Sequence, residues 1–355
     1  MLRNKMISTI EREWTMSTIR DVAKLANVST ATVSRVLNND TKYKMTRETR
    51  DRVWQAVTQL NYKTRTGITK SSPNSKRNES KEDIKIGCVL SVTKKKYNDP
   101  YFMSILSGVE SHLIDMGYQL SFLKTGAELE NNQNLYSTFS EPVTGLVLME
   151  ALGAETYQFI KQQVPYIVGI DTSREDIDNV GYDHFKVASM AVKHLISRGH
   201  KKIGYIGGSG ITKDIRTSRR YNGYYATMIS EGLTINPDWV IDCSWDEDIC
   251  IQTVNTLCND KNLPTAFFAA SDLMAMATLS TLYNNGYVVP DDLAVMGLSN
   301  IEVSKYSNPP LTTIEIPTKD IGVVAVDLLI ARMSKDKTLP KNVILPTSLI
   351  LRSST

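Results

Sequence analysis

The sequence predicts an α/β protein with an N-terminal three-helix headpiece and a two-lobed body built on parallel sheets. Three short amphipathic helix patterns lie near the N-terminus. From about residue 84 onward, apolar runs alternate with helical patterns, which is typical of parallel sheets covered by helices. That alternation occurs twice, before and after roughly residue 181, which predicts two similar lobes. A chain of 355 residues, 41% of them apolar, is long enough for two or three domains with a buried core.

Each of the three N-terminal helix patterns begins at a residue that can cap a helix. Ser17 or Thr18 can cap the first helix, with Asp21 in the capping-box position after Thr18. Ser29 can cap the second helix and Thr46 the third. The apolar stripes are Ile19, Val22, Ala23, Leu25 and Ala26, then Val33, Val36 and Leu37, then Val53, Trp54, Val57 and Leu60. Two short helices joined by a tight turn, with a third packed across them, follow the helix-turn-helix plan.

In this plan the second helix can enter the major groove of DNA, because its outward residues are small or can pair with bases. Arg35 can bond both O6 and N7 of guanine, while Thr30 and Ala31 can meet thymine methyl groups. Hydroxyl and amide side chains can donate to phosphates, which fixes the register of the helix. The predicted DNA-binding residues are Ser29, Thr30, Ala31, Thr32, Ser34, Arg35 and Asn38. The alternative is an ordinary three-helix packing unit.

Charge is distributed unevenly along the chain. Residues 16–82 carry 14 Lys and Arg against 6 Asp and Glu, a net charge of +8. Residues 83–355 carry 24 against 30, a net charge of −6. A basic head on an acidic body is typical of a protein that binds a polyanion through its head. Together with the caps and the outward face of the second helix, the charge favours DNA binding over a merely solvated basic tail.

These residues resemble a known family. The run TIRDVAKLANVSTATVSRVLN over 18–38, with TR at 49–50 and LNY at 60–62, is similar to the headpiece of LacI/GalR-family transcriptional repressors. Family headpieces commonly begin one or two residues before this run, so the expected DNA-binding domain spans 16–63. Residues 1–15 are expected to be a disordered extension or to reflect an upstream start, and we assign them no function.

The segment 64–83 is polar and basic, a composition typical of a flexible linker. In the family, the corresponding region is a short hinge helix that, paired across a dimer, pushes a leucine into the minor groove. Here Thr64 replaces the proline of that pattern and no leucine follows at the expected spacing. Ile68 is the only candidate wedge, and Gly67 beside it disfavours a helix. The sequence therefore does not favour minor-groove wedging.

The body is predicted from its alternating elements. The predicted strands are Ile84–Val92, Gly145–Leu148, Tyr166–Ile170, Ile203–Ile206, Ala266–Ala269 and Leu293–Gly297, and the predicted helices are Phe102–Met116, Phe185–Ser197, Gly223–Glu231, Ile249–Asn259 and Asp272–Asn285. The runs DPYF at 99–102, GHKKIG at 199–204, AASD at 269–272, PPLTT at 309–313 and LRSST at 351–355 carry a second resemblance. From Ile84 to Arg352 the chain resembles the type I periplasmic-binding-protein fold that family repressors use to bind sugars or other small effectors, and the effector-binding domain is expected at 84–355. In that fold the chain crosses between the lobes three times. Lobe 1 is accordingly expected at about 84–181 and 311–334, and lobe 2 at about 182–310 and 335–355.

The resemblance also implies a set of ligand contacts in the cleft between the lobes. An aromatic side chain can stack on a sugar ring, a carboxylate can accept from sugar hydroxyls, and an arginine can donate with its planar fork. The implied effector-binding residues are Tyr101, Phe102, Asp171, Arg220, Ser271, Ser299 and Asn300. Ser299 and Asn300 replace the usual Asp-Asp or Asn-Asp pair, which leaves the ligand identity open. The runs LNYKT at 60–64, NDPYF at 98–102, FFAASD at 267–272 and NPPL at 308–311 resemble those of repressors of galactose and β-galactoside operons, so we expect a galactose-type effector.

Several function classes are disfavoured by the sequence. No apolar run reaches the roughly 18–20 residues that span a bilayer, and the N-terminus shows no apolar signal segment, so we expect a cytoplasmic protein without a membrane partner. The four cysteines form no C-x-x-C pair and the four histidines are scattered, so no metal site is expected. Without a catalytic motif we expect no enzyme activity and no cofactor.

The combined prediction is a sequence-specific transcriptional repressor. We expect a homodimer rather than a tetramer, because no leucine heptad segment follows the body. Such a dimer would bind a pseudo-palindromic double-stranded DNA operator under the control of a small sugar. Two alternatives stay open. One is a catabolite-control-type regulator with a protein or non-sugar effector, and the other, opposed by the basic head, is a free-standing sugar-binding protein.

Overall fold

The structure is a computed structural model that describes residues 17–37, 45–60, 62, 84–91, 96, 98–209, 214–334 and 336–355. The predicted extension 1–15, the linker 64–83 and Asn38 lie outside the described residues. The chain divides into two compact units. The first combines the described part of the head with Glu128–Pro142 and Gln158–Gln163, and the second contains the rest of the described body. The domain boundaries given above stay predictions, except for the lobe assignment of Asn342–Leu345, which the strand pairing corrects.

The head consists of three helices at the predicted places: α1 (Ile19–Ala26), α2 (Thr30–Leu37) and α3 (Arg47–Gln59). Thr18 caps α1 in a capping box, since its Oγ1 accepts from the Asp21 amide at 3.4 Å and its own amide donates to the Asp21 carboxylate at 2.8 Å. Ser29 and Thr46 accept from the amides three residues later, at 3.0 and 3.3 Å. The head core takes one fully buried valine from each helix, Val22, Val33 and Val53.

The body carries the remaining elements. Its strands are β1 (Ile86–Leu90), β2 (Leu120–Thr125), β3 (Gly145–Met149), β4 (Tyr166–Ile170), β5 (Asp178–Tyr182), β6 (Ile203–Gly207), β7 (Val240–Asp242), β8 (Ala266–Ala269), β9 (Ala294–Met296), β10 (Thr313–Glu315), β11 (Asn342–Leu345) and β12 (Ser348–Ile350). The helices are α4 (Pro100–Asp115), α5 (Gly126–Leu129), α6 (Asn132–Thr138), α7 (Ala154–Gln163), α8 (His184–Ser197), α9 (Arg219–Ser230), α10 (Glu247–Asn259), α11 (Asp272–Asn284) and α12 (Thr318–Met333).

The strands form two parallel sheets, which confirms the predicted fold class. The first sheet has the order β11-β5-β4-β3-β1-β2 and the second the order β7-β6-β8-β9, with every pairing parallel. All five residues of β1, β3 and β6 are buried. A strand covered by helices on both faces has buried, apolar residues at nearly every position. Such strands therefore stand out in the sequence as continuous apolar runs, which is why they could be predicted. Within the described residues, no helix is long and apolar enough to cross a membrane.

One lobe assignment needs correction. The resemblance predicts that 335–355 lies in lobe 2, but β11 (Asn342–Leu345) pairs in parallel with β5 in the first sheet. An ion pair supports this position, because Arg332 of α12 donates to both carboxylate oxygens of Asp178 in β5 at 2.6 and 2.7 Å. The Lys341 amide, just before β11, donates to the same carboxylate at 2.6 Å. β12 instead pairs antiparallel with β10.

The two helices α4 and α12 pack against each other at unusually close range. A Cβ on Gly322 of α12 would lie 2.3 Å from the carbonyl oxygen of Ile105. A Cβ on Gly108 of α4 would lie 2.2 Å from the carbonyl oxygen of Lys319. Glycine at both positions lets the helix backbones touch, which fixes α12 against the first lobe after the chain returns from the second.

The topology brings several strand ends to one edge. Glu150 follows β3, Asp171 follows β4, and Tyr182 ends β5, so three neighbouring parallel strands deliver polar side chains to the same edge of the first sheet. From the second lobe, Arg220 lies in the first turn of α9, and Trp245 lies in the loop after β7. Ligands of open α/β sheets bind at such carboxyl edges.

Candidate DNA interface and effector cleft

The outward face of α2 is the candidate DNA interface. Thr30 and Ala31 are exposed, while Ser34 and Arg35 are partly exposed. The opposite face is committed to the head core through Val33 and other buried apolar side chains. The polar and small residues on α2 therefore lie on the solvent side, as an interface with a major groove requires.

Two of the predicted DNA-binding residues also hold the start of α2. The Ser29 hydroxyl accepts from the Thr32 amide at 3.0 Å and shares a hydrogen bond of 2.8 Å with the Thr32 hydroxyl. Both side chains thus contribute to capping, and a phosphate contact would use their remaining hydrogen-bonding capacity. Asn38 cannot be compared because it lies outside the described residues.

The candidate effector cleft is built around Asp171. Its Oδ1 lies 3.0 Å from Nε2 of His184, and its Oδ2 accepts from the Tyr101 hydroxyl at 3.4 Å. The His184 ring stacks on the Tyr182 ring with centroids 4.2 Å apart. Tyr182 accepts in turn from the Arg220 guanidinium, at 3.0 Å from Nε and 2.5 Å from Nη2. These five side chains form one connected polar and aromatic cluster that spans both lobes.

The indole of Trp245 extends this cluster. The Arg220 guanidinium carbon lies 5.3 Å from the centre of the Trp245 ring, within the range of a cation–π contact. It lies 5.7 Å from the centre of the Tyr182 ring, whose hydroxyl it bonds. Trp245 itself has a left-handed backbone, with φ of 59°. A planar cation beside an aromatic ring can donate to a polar ligand, while the ring can meet an apolar ligand face.

Burial sets the protonation states in the cleft. Burial, together with the Asp171 carboxylate, raises the pKa of Glu150 to about 7, although Arg220 opposes this shift. Burial lowers the pKa of His184 even though Asp171 opposes that change, so the imidazole is neutral at neutral pH. Burial also opposes the charged form of Arg220, but Tyr182, Tyr101 and Glu150 outweigh it and raise the pKa of this guanidinium.

A cavity of about 410 Å³ borders this cluster. It is lined by Asp171, Tyr182 and His184, and it continues towards β11 past Lys341. Tyr101, Arg220 and Trp245 do not line it, so this volume belongs to the side of the cluster next to β5 and β11. Among the described residues, no group of three or more His, Cys, Asp or Glu side chains is placed to hold a metal ion.

The structure brings together three of the predicted effector residues, Tyr101, Asp171 and Arg220. Phe102 lies beside them, because its ring meets the Tyr101 ring edge-on with centroids 5.1 Å apart. The cleft also contains four residues that the sequence analysis did not single out: Glu150, Tyr182, His184 and Trp245. Glu150 comes two residues after the predicted apolar run Gly145–Leu148, which is the signal that could have indicated it. The other three residues lie next to no predicted strand.

The other predicted effector residues have structural partners in the second lobe. Ser271 caps α11 by accepting from the Met274 amide at 3.3 Å. The Asn300 side chain accepts from the Arg352 guanidinium at 2.6 Å. Ser299 is buried, has φ of 123°, and donates its amide to a backbone carbonyl at 2.8 Å. Their assignment as effector contacts stays a prediction.

Comparison with known proteins agrees with both parts of the structure, the helix-turn-helix head and the two-lobed body. Residues 18–65 match the family described as bacterial regulatory proteins, lacI family, and residues 192–355 match the periplasmic binding protein-like domain. A repressor named HTH-type transcriptional repressor PurR from Aliivibrio salmonicida is 34% identical over 333 residues, covering 91% of this chain and 93% of the relative. The PurR of Actinobacillus pleuropneumoniae serotype 3 is 34% identical over 346 residues, covering 96% and 98%.

Solved structures show the same architecture. A complex of the transcriptional regulator CelR with cellobiose has a TM-score of 0.71 at 26% identity, covering 96% of this chain and 100% of that one. The lac repressor dimer bound to operator and the anti-inducer ONPF has a TM-score of 0.68, covering 96% of this chain and 99% of that one. The two sequences are 23% identical, so this likeness supports the fold and nothing further.

A helix-turn-helix head joined to a periplasmic-binding-protein-like body defines a class of DNA-binding transcriptional repressors that carry a ligand-binding domain, which are not enzymes. This chain belongs to that class, in the LacI family of transcriptional regulators. The expected likeness to galactose-operon repressors is not supported by the two relatives named above, since both are called PurR.

Proposed function

We propose that the protein is a homodimeric cytoplasmic repressor that reads a pseudo-palindromic operator with α2 and responds to a small molecule bound between its lobes. The exposed small and basic face of α2 supports the first part. The cluster that runs from Asp171 through Tyr182 to Arg220 supports the second part, because it joins residues of both lobes. A ligand that binds this cluster has different affinity for different lobe arrangements, and that difference couples the ligand to DNA.

We infer that the effector is a small sugar. The observation that carries this inference is the cleft chemistry: a carboxylate, a planar guanidinium and aromatic rings at one place. Carboxylate and guanidinium groups bond sugar hydroxyls, and aromatic faces stack on the apolar face of the ring. CelR, which has the same fold, was solved with a disaccharide. Galactose and galactosides are the first sugars to test, acting as inducers that weaken operator binding.

A purine is the second candidate, because the curated relatives are named PurR. The same cleft groups could bind such a base. The Trp245 indole could stack on its plane, and Arg220 could donate to its ring nitrogens or carbonyl. Because the relatives share about a third of their residues with this chain, the ligand needs a direct test.

The test is a thermal-shift and calorimetric screen of the full-length protein. The panel contains galactose, lactose, cellobiose, hypoxanthine and guanine, followed by operator gel shifts with any ligand that binds. Stabilisation by a sugar, with weaker operator binding, supports the proposal. Stabilisation by a purine and by no sugar would show that the effector is a purine, the second candidate. Binding that survives Arg220→Ala would place the ligand away from this cluster.

A further inference from the structure

The head makes a specific aromatic contact with a segment far along the chain. Trp54 of α3 and Tyr136 of α6 stack with ring centroids 4.3 Å apart and planes inclined by 10°. Beside this stack, Nη1 of Arg50 donates to Oε1 of Gln133 at 3.1 Å. Both contacts lie within the compact unit that combines the head with Glu128–Pro142 and Gln158–Gln163.

The surface that receives Trp54 is itself well packed. The Tyr136 ring meets the Phe159 ring of α7 edge-on, with centroids 4.9 Å apart. Phe139 at the end of α6 contacts the same Phe159 ring at 6.3 Å. Tyr136 and Phe139 are 8% and 7% exposed. Because neighbouring rings fix its orientation, Tyr136 can serve as a rigid platform for the indole.

The contact leaves the DNA-reading face of the head accessible. Thr30 and Ala31 of α2 stay exposed while Trp54 is stacked on Tyr136. Docking through α3 is therefore compatible with an α2 that enters a major groove. The sequence of the linker lacks the proline and the leucine of the family hinge pattern, so a second means of holding the head is physically useful.

We propose that the Trp54–Tyr136 stack is a docking surface for the head, and that it holds α2 in a defined direction relative to α6 and α7. The occupant is this chain's own third head helix, and the surface is the aromatic group Tyr136, Phe139 and Phe159. A head that is already oriented loses less freedom when it binds DNA, so the dock strengthens operator binding. This proposal adds a residue pair to the repressor function without depending on the identity of the effector.

The test compares full-length wild type with Tyr136→Ala, Tyr136→Phe and the control Tyr283→Ala, which removes a 71% exposed ring on α11. In Tyr136→Ala we expect the amides of α3 to exchange hydrogen faster and operator affinity to fall about two- to tenfold, the range for one aromatic pair. Tyr136→Phe keeps the ring and is expected to behave as wild type, as is Tyr283→Ala.

Two further measurements separate the dock from a folding defect. Gln133 is exposed, so Gln133→Ala cannot open a core, and it is expected to speed exchange in α3 in the same direction by a smaller factor. The hydrogen-exchange measurement needs no DNA. It therefore tests the docking of the head on Tyr136 independently of the proposed control of operator binding. Unchanged α3 exchange in both Tyr136→Ala and Gln133→Ala would overturn the dock. Faster exchange with unchanged operator affinity would overturn its role in orienting the head.

Discussion

Arg220 of the second lobe donates two hydrogen bonds to the phenolic oxygen of Tyr182, which ends the fifth strand of the first lobe. The two lobes are thus joined through Arg220, which is also a predicted effector residue. A ligand that takes hydrogen bonds from Arg220 competes with Tyr182 for the same donors. In the proposed function, this competition links ligand binding to lobe arrangement.

Arg220→Ala should abolish the response to the effector while operator affinity without effector stays near that of wild type. Hydrogen bonds to a charged group contribute about 1.5–3 kcal/mol, so effector affinity should fall by about ten- to a hundredfold. Calorimetry with the effector and gel shifts with operator measure the two properties. Arg220→Lys should not restore binding, because lysine lacks the planar fork.

The matched control is Arg216→Ala. Arg216 lies four residues before Arg220, its side chain is 78% exposed, and it pairs with Asp214. It should leave the effector response intact. If Arg220→Ala and Arg216→Ala gave the same small change, the effector would bind elsewhere.

The pH dependence of stability should report the buried carboxyl of Glu150. Burial raises the pKa of Glu150 from 4.5 to about 7, so the folded state keeps a proton that the unfolded chain releases in this window. The free energy of unfolding should therefore fall as pH rises from about 4.5 to about 7, and this contribution should be constant above that range. Urea unfolding at several pH values measures the slope.

Glu150→Gln removes the titrating group. The fall in the free energy of unfolding between pH 4.5 and about pH 7 should therefore be smaller than in wild type. Glu155→Gln, on the exposed side of α7, is the control and should retain the wild-type slope. An unchanged slope in Glu150→Gln would show that other groups account for the pH dependence.

Much of the fold could be predicted because its signals are local. The strand predicted at Gly145–Leu148 differs from β3 by a single residue, since a strand covered on both faces is an unbroken apolar run. The caps Thr18 and Ser29 were predicted from side chains that bond amides within three residues. Such features depend on neighbours in sequence and need no knowledge of tertiary packing.

The features that were missed depend on distant partners. β11 has the sequence NVIL with alternating exposure, and only its pairing with β5 places it in the first lobe. Asn300 has a side chain suited to a ligand, but Arg352, distant in sequence, occupies its oxygen. Tyr182 and Trp245, which are distant in sequence, both lie beside Arg220. No local pattern encodes these encounters.

Arg35→Ala should reduce operator affinity by about 1–3 kcal/mol and relax the preference at one base pair of each half-site. The physical reason is that a guanidinium can bond both acceptors of a guanine edge, and Arg35 lies on the partly exposed side of α2. Binding to operator variants at one fixed salt concentration measures this specificity. Arg52→Ala, at an exposed position of α3, should leave the base preference unchanged. Equal loss on all sequences would show that Arg35 contacts only phosphate.

Gly322→Ala should destabilise the body by about 1–3 kcal/mol, the usual cost of overpacking. The new methyl group would meet the Ile105 carbonyl at 2.3 Å, and a backbone atom inside a helix cannot move aside alone. The helices α4 and α12 would have to separate. Gly153→Ala is the control, because no atom lies within 4 Å of its added Cβ. Urea unfolding of both variants gives the comparison, and equal stabilities would show that the two helices separate without cost.

Arg332→Ala should be the most destabilising of these changes, by about 3–5 kcal/mol, because it leaves the Asp178 carboxylate buried without its charged partner. The Asp178 side chain is 2% exposed, and Arg332 contacts both of its oxygens. Arg332 also donates to the Thr338 and Leu339 carbonyls, so its loss should loosen the segment leading to β11.

The control is Lys341→Ala, which removes an ammonium group paired with Asp336 near solvent and should cost at most about 1 kcal/mol. In urea unfolding, Asp178→Asn should partly restore the stability of Arg332→Ala by removing the unpaired charge. A loss as small as that of Lys341→Ala would show that this pair contributes no more than a surface ion pair.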